Sequence, residues 1–365
     1  MSDAKLKTTP LNHLHRELGA TMVAFVDYDM PMQFPLGVLK EHRHTRAKAG
    51  LFDVSHMGQV QIYGKDRAKI FETLVPGNIR GLNRGCMRYT QFTNSNGGIL
   101  DDLIITNAVD HLFVVVNAAC KEQDIAIMES AFGEGLKILD NRALLALQGP
   151  IAVNVLVNLA PKAANLTFMT GASMDVGGFH CFVTRSGYTG EDGYEISVPA
   201  ENAECLAREL LNYTEVEAIG LGARDSLRLE AGLCLYGQDI DISTSPVEAS
   251  LLWSIGKHRR KNADFPGASR IQKEIIEGTL RQRVGIKTKG PALARRGCKI
   301  LDENGNIIGK ITSGCFGPSV QSPVAMGYVV REYAAANTVV FLMIRDNLVP
   351  ANIVKLPFIT PGYKR

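Results

Sequence analysis

Cysteine pairing is the first thing this chain lacks. Its seven cysteines (Cys86, Cys120, Cys181, Cys205, Cys234, Cys298 and Cys315) are odd in number and widely spaced, with no C-x-x-C pair. That set speaks against a disulfide framework or a zinc site and for small buried hydrophobes in a reducing compartment. Long apolar runs are also missing. The longest, such as Leu112-Phe113-Val114-Val115-Val116, are strand-sized, far short of the roughly 20 residues a membrane span needs. No charge of one sign dominates, since 40 basic and 37 acidic residues leave a net +3, which argues against a nucleic-acid-coating surface. There is no P-loop, and Gly220-Leu221-Gly222-Ala223-Arg224-Asp225 puts Asp225 where the third glycine of a dinucleotide fingerprint belongs. His42 and His44 lie two apart, a spacing that does not bring them together on a helix face. The opening Met1-Ser2-Asp3-Ala4-Lys5 leads into no signal-peptide core and carries an acid early, so a cytoplasmic location is expected.

What remains is an ordinary globular composition, 45% apolar and 21% charged over 365 residues, with room for two or three domains. The informative stretch is Asn94-Ser95-Asn96-Gly97-Gly98-Ile99-Leu100-Asp101-Asp102-Leu103-Ile104-Ile105-Thr106, where two adjacent carboxylates interrupt an apolar run. Asn96-Gly97 and Gly98 can supply the positive φ angles of a hairpin, so Ile99 onward reads as its second strand. Strand alternation then places Asp101 with Ile99 and Leu103, and Asp102 with Leu100 and Ile104, so the pair should not converge. Met87 to Thr93, this stretch, and Leu112 to Asn117 form a meander whose strands should be neighbours. Tyr89, one aspartate and Asn117 could then meet on one face. Either acid could equally be held by backbone N–H groups at a sheet rim.

Before it, Leu11, Leu14, His15 and Leu18 repeat with helical spacing, and a second helix carries Lys40, Arg43, His44, Arg46 and Lys48. That basic run is a solvated face or a docking site for an acidic partner. His56 alone reads as a structural histidine. After the meander, Phe179 to Thr184 and Tyr194 to Val198 read as a hairpin closed by the glycine-rich Arg185 to Gly193 segment, which lets ligand approach the backbone. Arg224 and Arg228 are four apart on a helix ended by Gly232, where salt bridges to Asp225 or Glu230 are the simpler role. Leu251 to Ile255 reads as a strand and His258 to Asn262 as a solvated loop. Beyond about residue 276 short strands and turns suggest an all-β barrel or jelly roll, so the fold class is α+β.

In order and spacing, several blocks resemble the glycine cleavage T proteins, the aminomethyltransferases. They are Phe52-Asp53-Val54-Ser55-His56-Met57-Gly58, Gly97 to Leu103, Val115-Val116-Asn117-Ala118, Gly187 to Glu195, Gly220 to Asp225, Arg228-Leu229-Glu230-Ala231, Leu235 to Asp239 and Ile311-Thr312-Ser313-Gly314. The resemblance implies a three-lobed, folate-binding α+β fold around a central channel, divided as residues 1-50 with 140-240, 51-139 with 241-275, and a C-terminal β-barrel or jelly-roll domain over 276-365. It implies transfer of a methylene unit from the aminomethyl-lipoyl arm of the H protein to tetrahydrofolate, with release of ammonia and no metal. By the same resemblance Asp102 is the functional acid, Glu195 recognises the pterin, and Arg224 contacts the remote folate moiety. Met57, Tyr89, Val115, Asn117, Tyr188 and Tyr236 line the channel, although each tyrosine could instead be a satisfied core residue. The tail Leu356-Pro357-Phe358-Ile359-Thr360-Pro361 departs from the family, so the resemblance leaves open whether it contacts folate. A same-fold alternative is a folate-dependent demethylase of a small methylated substrate, and one from another class is a folate-binding assembly or regulatory module without turnover. A fused folate-dependent oxidase is excluded by the missing flavin fingerprint.

Overall fold

The computed structural model describes residues 6–365; Met1 to Lys5, on which the expectation about a signal peptide rested, lie outside the described residues. A six-stranded sheet runs in the order Thr170–Val176, Phe179–Arg185, Gly193–Pro199, Arg142–Gln148, Ala49–Asp53, Val216–Ala218. Its apolar face, with Leu51, Leu145, Leu147, Val183 and Ile196, packs on the helices Ala152–Leu159 and Ala203–Leu211. A five-stranded sheet runs Met87–Thr93, Ile99–Asn107, Leu112–Val116, Gly58–Ile62, Leu136–Ile138. Its core of Val60, Ile62, Leu103, Ile105 and Val114 is closed by Phe71 and Met128 from the helices Arg67–Glu72 and Lys121–Phe132. The chain leaves the first sheet at Asp53, enters the second at Gly58 and returns at Arg142. The short link Val54-Ser55-His56-Met57 therefore bridges the two. A separate cluster of Phe52, Val54, Phe113, Val115 and Phe182 fills the seam between the sheets.

Six further strands between Arg281 and Val354 close into a barrel around Ile286, Ile300, Ile311 and Leu342. Leu229 of the helix Leu221–Glu230 packs on barrel residues Val324 and Met326. Within that helix Arg228, nearly fully buried, reaches Asp225 at 2.8 Å, Asp239 at 2.6 Å and the barrel's Ser313 at 2.9 Å. These bonds fix the barrel against the lobe that carries Arg224.

Four local readings change. In the Asn94 to Gly98 turn only Gly97 has a positive φ, 76°. Gly98 is needed for another reason, because a Cβ there would stand 1.8 Å from the Ile242 carbonyl oxygen. Leu251 to Ile255 is not a strand but contains a single 3-10 turn, Leu252–Ser254, held by the Ser254 hydroxyl donating to Leu251 O at 2.7 Å. Arg259 is not in a solvated loop. It starts a short helix, Arg259–Asn262, and its guanidinium is fully buried on the carbonyls of Glu72 and Val75 and the carboxylate of Asp264. Finally, the basic run on the helix Val38–Ala47 is divided: His44 bonds Glu215 O and Arg46 pairs with Glu191 and Glu230, leaving Lys40, Arg43 and Lys48 exposed.

Candidate active site

Strand pairing accounts for the centre of the site. Gln91 lies opposite Asp102, so Tyr89 sits on the diagonal and on the same face. Its hydroxyl donates to Asp102 Oδ2 at 2.9 Å. Pairing of the next two strands stops at Leu103 opposite Val116, which frees Asn117 at the strand end. Asn117 Nδ2 donates to Asp102 Oδ1 at 2.9 Å and also to Asp101 Oδ1 at 2.9 Å, and its backbone N–H donates to Asp101 Oδ2 at 3.2 Å. The expectation that the two aspartates cannot converge is thus corrected. Register slips between Phe92 and Thr93, where Phe92 pairs with Asp101 but Thr93 with Ile99. Leu100 is the extra residue of a β-bulge, and the added twist turns Asp101 toward the same amide. The two still differ: Asp101 is fully buried, whereas Asp102 is half-buried in the wall of a cavity. Burial, and then the charge of Asp101, push the Asp102 carboxyl up to about 7.

That cavity encloses about 1210 Å³ between the two sheets and the barrel, room for a ligand of drug size or larger. Met57, Tyr89, Asp102, Val115, Asn117, Tyr188, Glu195, Arg224 and Tyr236 all line it. Met57 is placed by the inter-sheet link, whose preceding Asp53 is anchored by Thr9 at 2.6 Å, His15 at 2.8 Å and the Ser55 N–H at 2.9 Å. The Arg185–Asp192 ion pair closes the base of the glycine-rich loop that carries Tyr188. The Tyr188 hydroxyl is bound to Cys234 O, and the Arg224 guanidinium lies 4.8 Å from the ring centroid. Burial raises Glu195 above the usual carboxylate range, opposed by Arg224 and by the Ser186 hydroxyl at 3.4 Å.

Several lining residues carried no signal in the sequence. Trp253 stacks on Tyr89 with centroids 5.2 Å apart, and the 3-10 turn that presents it was read as a strand. Phe25 and Val26 come from the tip of the hairpin Thr21–Phe25 and Tyr28–Gln33. The tail does reach the cavity: Lys355, Leu356, Pro357 and Tyr363 line it, and Tyr363 stacks on Phe168 at 4.0 Å. His56 also lines it and is not a satisfied core histidine, since its Nδ1 is buried without a partner. Burial, then Arg224, hold it down to about 4, so the imidazole is neutral. A second void beside His15 and Asp53, about 10 Å³, holds one water at most. Among the described residues the one group spaced for a metal is His13, Glu17 and Glu204, and none of these lines the cavity. Among the described residues no helix is long and apolar enough to cross a membrane.

The chain matches the GCVT N-terminal domain over residues 11–259 and the glycine cleavage T-protein C-terminal barrel domain over residues 281–359. It is 46% identical to the mitochondrial aminomethyltransferase of Dictyostelium discoideum, over all of this chain and 95% of that protein. Against the human mitochondrial aminomethyltransferase the identity is 48%, over 98% of this chain and 91% of the other. The crystal structure of the glycine cleavage system aminomethyltransferase T from Bartonella henselae superposes with a TM-score of 0.93 at 43% identity, covering 99% of this chain and 100% of that one. The cytoplasmic expectation is corrected by these relatives, whose names point to mitochondria instead. Balanced charge and unpaired cysteines do not separate the two compartments.

Proposed function

The chain belongs to the glycine cleavage T-protein family and is an aminomethyltransferase of that system, and from that premise we propose that Asp102 is the acid on which its methylene transfer depends. The family uses tetrahydrofolate as its substrate. In the reaction so assigned, the C–N bond of the sulfur-bound aminomethyl group breaks and ammonia departs with the electron pair. Two folate nitrogens bond to the carbon in turn, the C–S bond breaks, and their two protons end on the ammonia and the dihydrolipoyl sulfur.

Loss of ammonia leaves a cationic methylene centre beside sulfur, which a fixed carboxylate stabilises. Asp102 suits that task because both its oxygens are already oriented, by Tyr89 and Asn117. A carboxyl pushed up to about 7 can also accept a folate N–H proton near neutral pH. Glu195 would accept two hydrogen bonds from the amino and ring N–H groups of a pterin edge. Arg224 would pair with a carbonyl or carboxylate at the remote end, and Met57, Val115, Tyr188 and Tyr236 would cover the ring system. Neutral His56 adds no positive charge where the cationic centre forms. The partner on this reading is the lipoylated H protein, and exposed Lys40, Arg43 and Lys48 give it a basic face to meet.

The observation that carries the reading is the doubly held carboxyl of Asp102 facing a folate-sized cavity. Ammonia release from aminomethyl-loaded, lipoylated H protein tests it. Release should accelerate on adding tetrahydrofolate, and a rate that ignores folate would refute it.

A further inference from the structure

One largely buried cation outside the cavity is bonded through every donor it has. Arg46, in the last turn of the helix Val38–Ala47, has a side chain only 13% exposed. Its Nη1 donates to Thr189 O at 2.6 Å and Glu191 Oε1 at 3.0 Å, and its Nη2 to Leu227 O and Glu230 Oε2, both at 3.2 Å. Nε donates to Ser319 Oγ at 3.3 Å. All five guanidinium N–H groups are thereby used, and their acceptors lie on three separate elements. Thr189 and Glu191 belong to the glycine-rich loop, Leu227 and Glu230 to the helix Leu221–Glu230, and Ser319 to the turn between the barrel strands Ile307–Gly317 and Ser322–Val330.

The first two elements each carry a wall of the cavity, Tyr188 on the loop and Arg224 on the helix. The same pair holds the tail, since the Gly362 N–H donates to Gly190 O and the Phe358 N–H to Glu230 O, each at 2.9 Å. Leu356, Pro357 and Tyr363 of that tail form a third wall. The loop needs an outside fastening, because Gly187, Gly190 and Gly193 fall within seven residues and glycine loses more backbone freedom on ordering than any other residue. Gln148 holds the loop on its sheet side, through Ser186 O at 2.9 Å and the Thr189 hydroxyl at 3.0 Å. Arg46 ties the tip to the helix. Gly190, with φ 83°, lies against the guanidinium: a Cβ there would stand 3.6 Å from Arg46 Nη1 and 2.8 Å from Ala231 Cβ.

We propose that Arg46 is a positioning residue for the folate substrate: it locks the loop bearing Tyr188 onto the helix bearing Arg224, so that these walls stand formed before the ligand arrives. This rests on the reading of the cavity as the tetrahydrofolate site. A wall already in order spares the ligand the entropy of ordering it. Only an arginine fits the role. A lysine presents fewer donors, all on one nitrogen, so it cannot span acceptors on three elements and leaves buried oxygens without a partner.

Comparison of the full chain as wild type and as Arg46→Lys tests this. Amide hydrogen exchange without ligand should quicken about tenfold in the loop 187–193 and the tail 356–363 of the variant, and keep the wild-type rate in the six-stranded sheet. The Kd for tetrahydrofolate should rise about tenfold. Turnover at saturating folate, with aminomethyl-loaded, lipoylated H protein, should stay within about twofold of wild type, because Arg46 does not line the cavity. Faster exchange throughout the protein would reduce Arg46 to a general stabilising contact and overturn the inference, as would wild-type exchange in the loop or a wild-type Kd. Exchange is read without folate, so a wild type that binds no folate would sink the reading of the cavity and leave the fastening of the loop standing. Should Arg46→Lys fail to fold, Glu191→Gln decides. It keeps the bonds of Arg46 to the helix and the barrel, weakens one to the loop, and should raise the same Kd about threefold with kcat unchanged; wild-type affinity in that variant overturns the inference as well.

Discussion

Tyr89 and Asp102 meet on a diagonal of the five-stranded sheet, the hydroxyl donating to Oδ2 at 2.9 Å, while Asn117 holds the other oxygen at the same distance. With both oxygens oriented, the carboxyl has little freedom to rotate, and it stands in the wall of the cavity. Preorganisation of this kind avoids reorientation when charge develops on a reacting centre. The predictions below follow from that geometry.

The pH dependence of transfer should report Asp102. Burial and Asp101 push it up to about 7, so the carboxylate is lost as pH falls through that value, and kcat/KM should fall with it. Asp101→Asn removes a neighbouring charge and should carry the acid-side midpoint downward. An unchanged midpoint in that variant would contradict the coupling. Stability responds with the opposite sign. The folded state holds a proton that an unfolded aspartate, with its model value of 3.8, would release, so this group's contribution declines as pH rises from about 4 toward 7.

Glu195→Gln should weaken tetrahydrofolate binding by about tenfold, the scale of one charge-assisted hydrogen bond, with a smaller effect on the rate at saturating folate. Equilibrium titration of folate against the variant measures it. Wild-type affinity would remove Glu195 from pterin recognition.

Charge reversal at Lys40, Arg43 and Lys48 should raise the KM for H protein and flatten its dependence on ionic strength. Arg46→Glu is not an equivalent probe, because Arg46 is spent on Glu191 and Glu230 inside the molecule. Identical salt responses in wild type and variant would exclude this face as the docking site.

Arg259→Ala should destabilise the protein by about 2 to 4 kcal/mol, since it strips the Glu72 and Val75 carbonyls of their buried donor and leaves a void. Lys261→Ala, exposed on the same short helix, should stay within about 0.5 kcal/mol. Urea midpoints for the two variants check both numbers.

Much of the site was legible in the sequence because its residues sit on regular elements. Alternation along Ile99–Asn107 assigned opposite environments to Asp101 and Asp102, and the meander placed Tyr89 and Asn117 beside them. What period-two reasoning cannot see is one added residue. The bulge at Leu100 brought Asp101 and Asp102 to one amide, and nothing in the side-chain pattern marks it. Trp253 and Arg259 failed differently. A mainly apolar run of five residues is as compatible with a 3-10 turn as with a strand, and a basic run normally faces water unless carbonyls such as those of Glu72 and Val75 wait for one of its members. Tyr363 was missed because its approach to the cavity depends on where the barrel returns the chain, a long-range outcome that no local pattern encodes.

The most direct test of the whole account is methylene transfer by Asp102→Asn, measured beside Asp101→Asn with aminomethyl-loaded H protein and saturating tetrahydrofolate. The asparagine at 102 keeps the shape of the site, so folate binding should persist while transfer falls at least tenfold, and the Asp101 variant should lose less. Full activity in the Asp102 variant, or equal losses in the two, would contradict it.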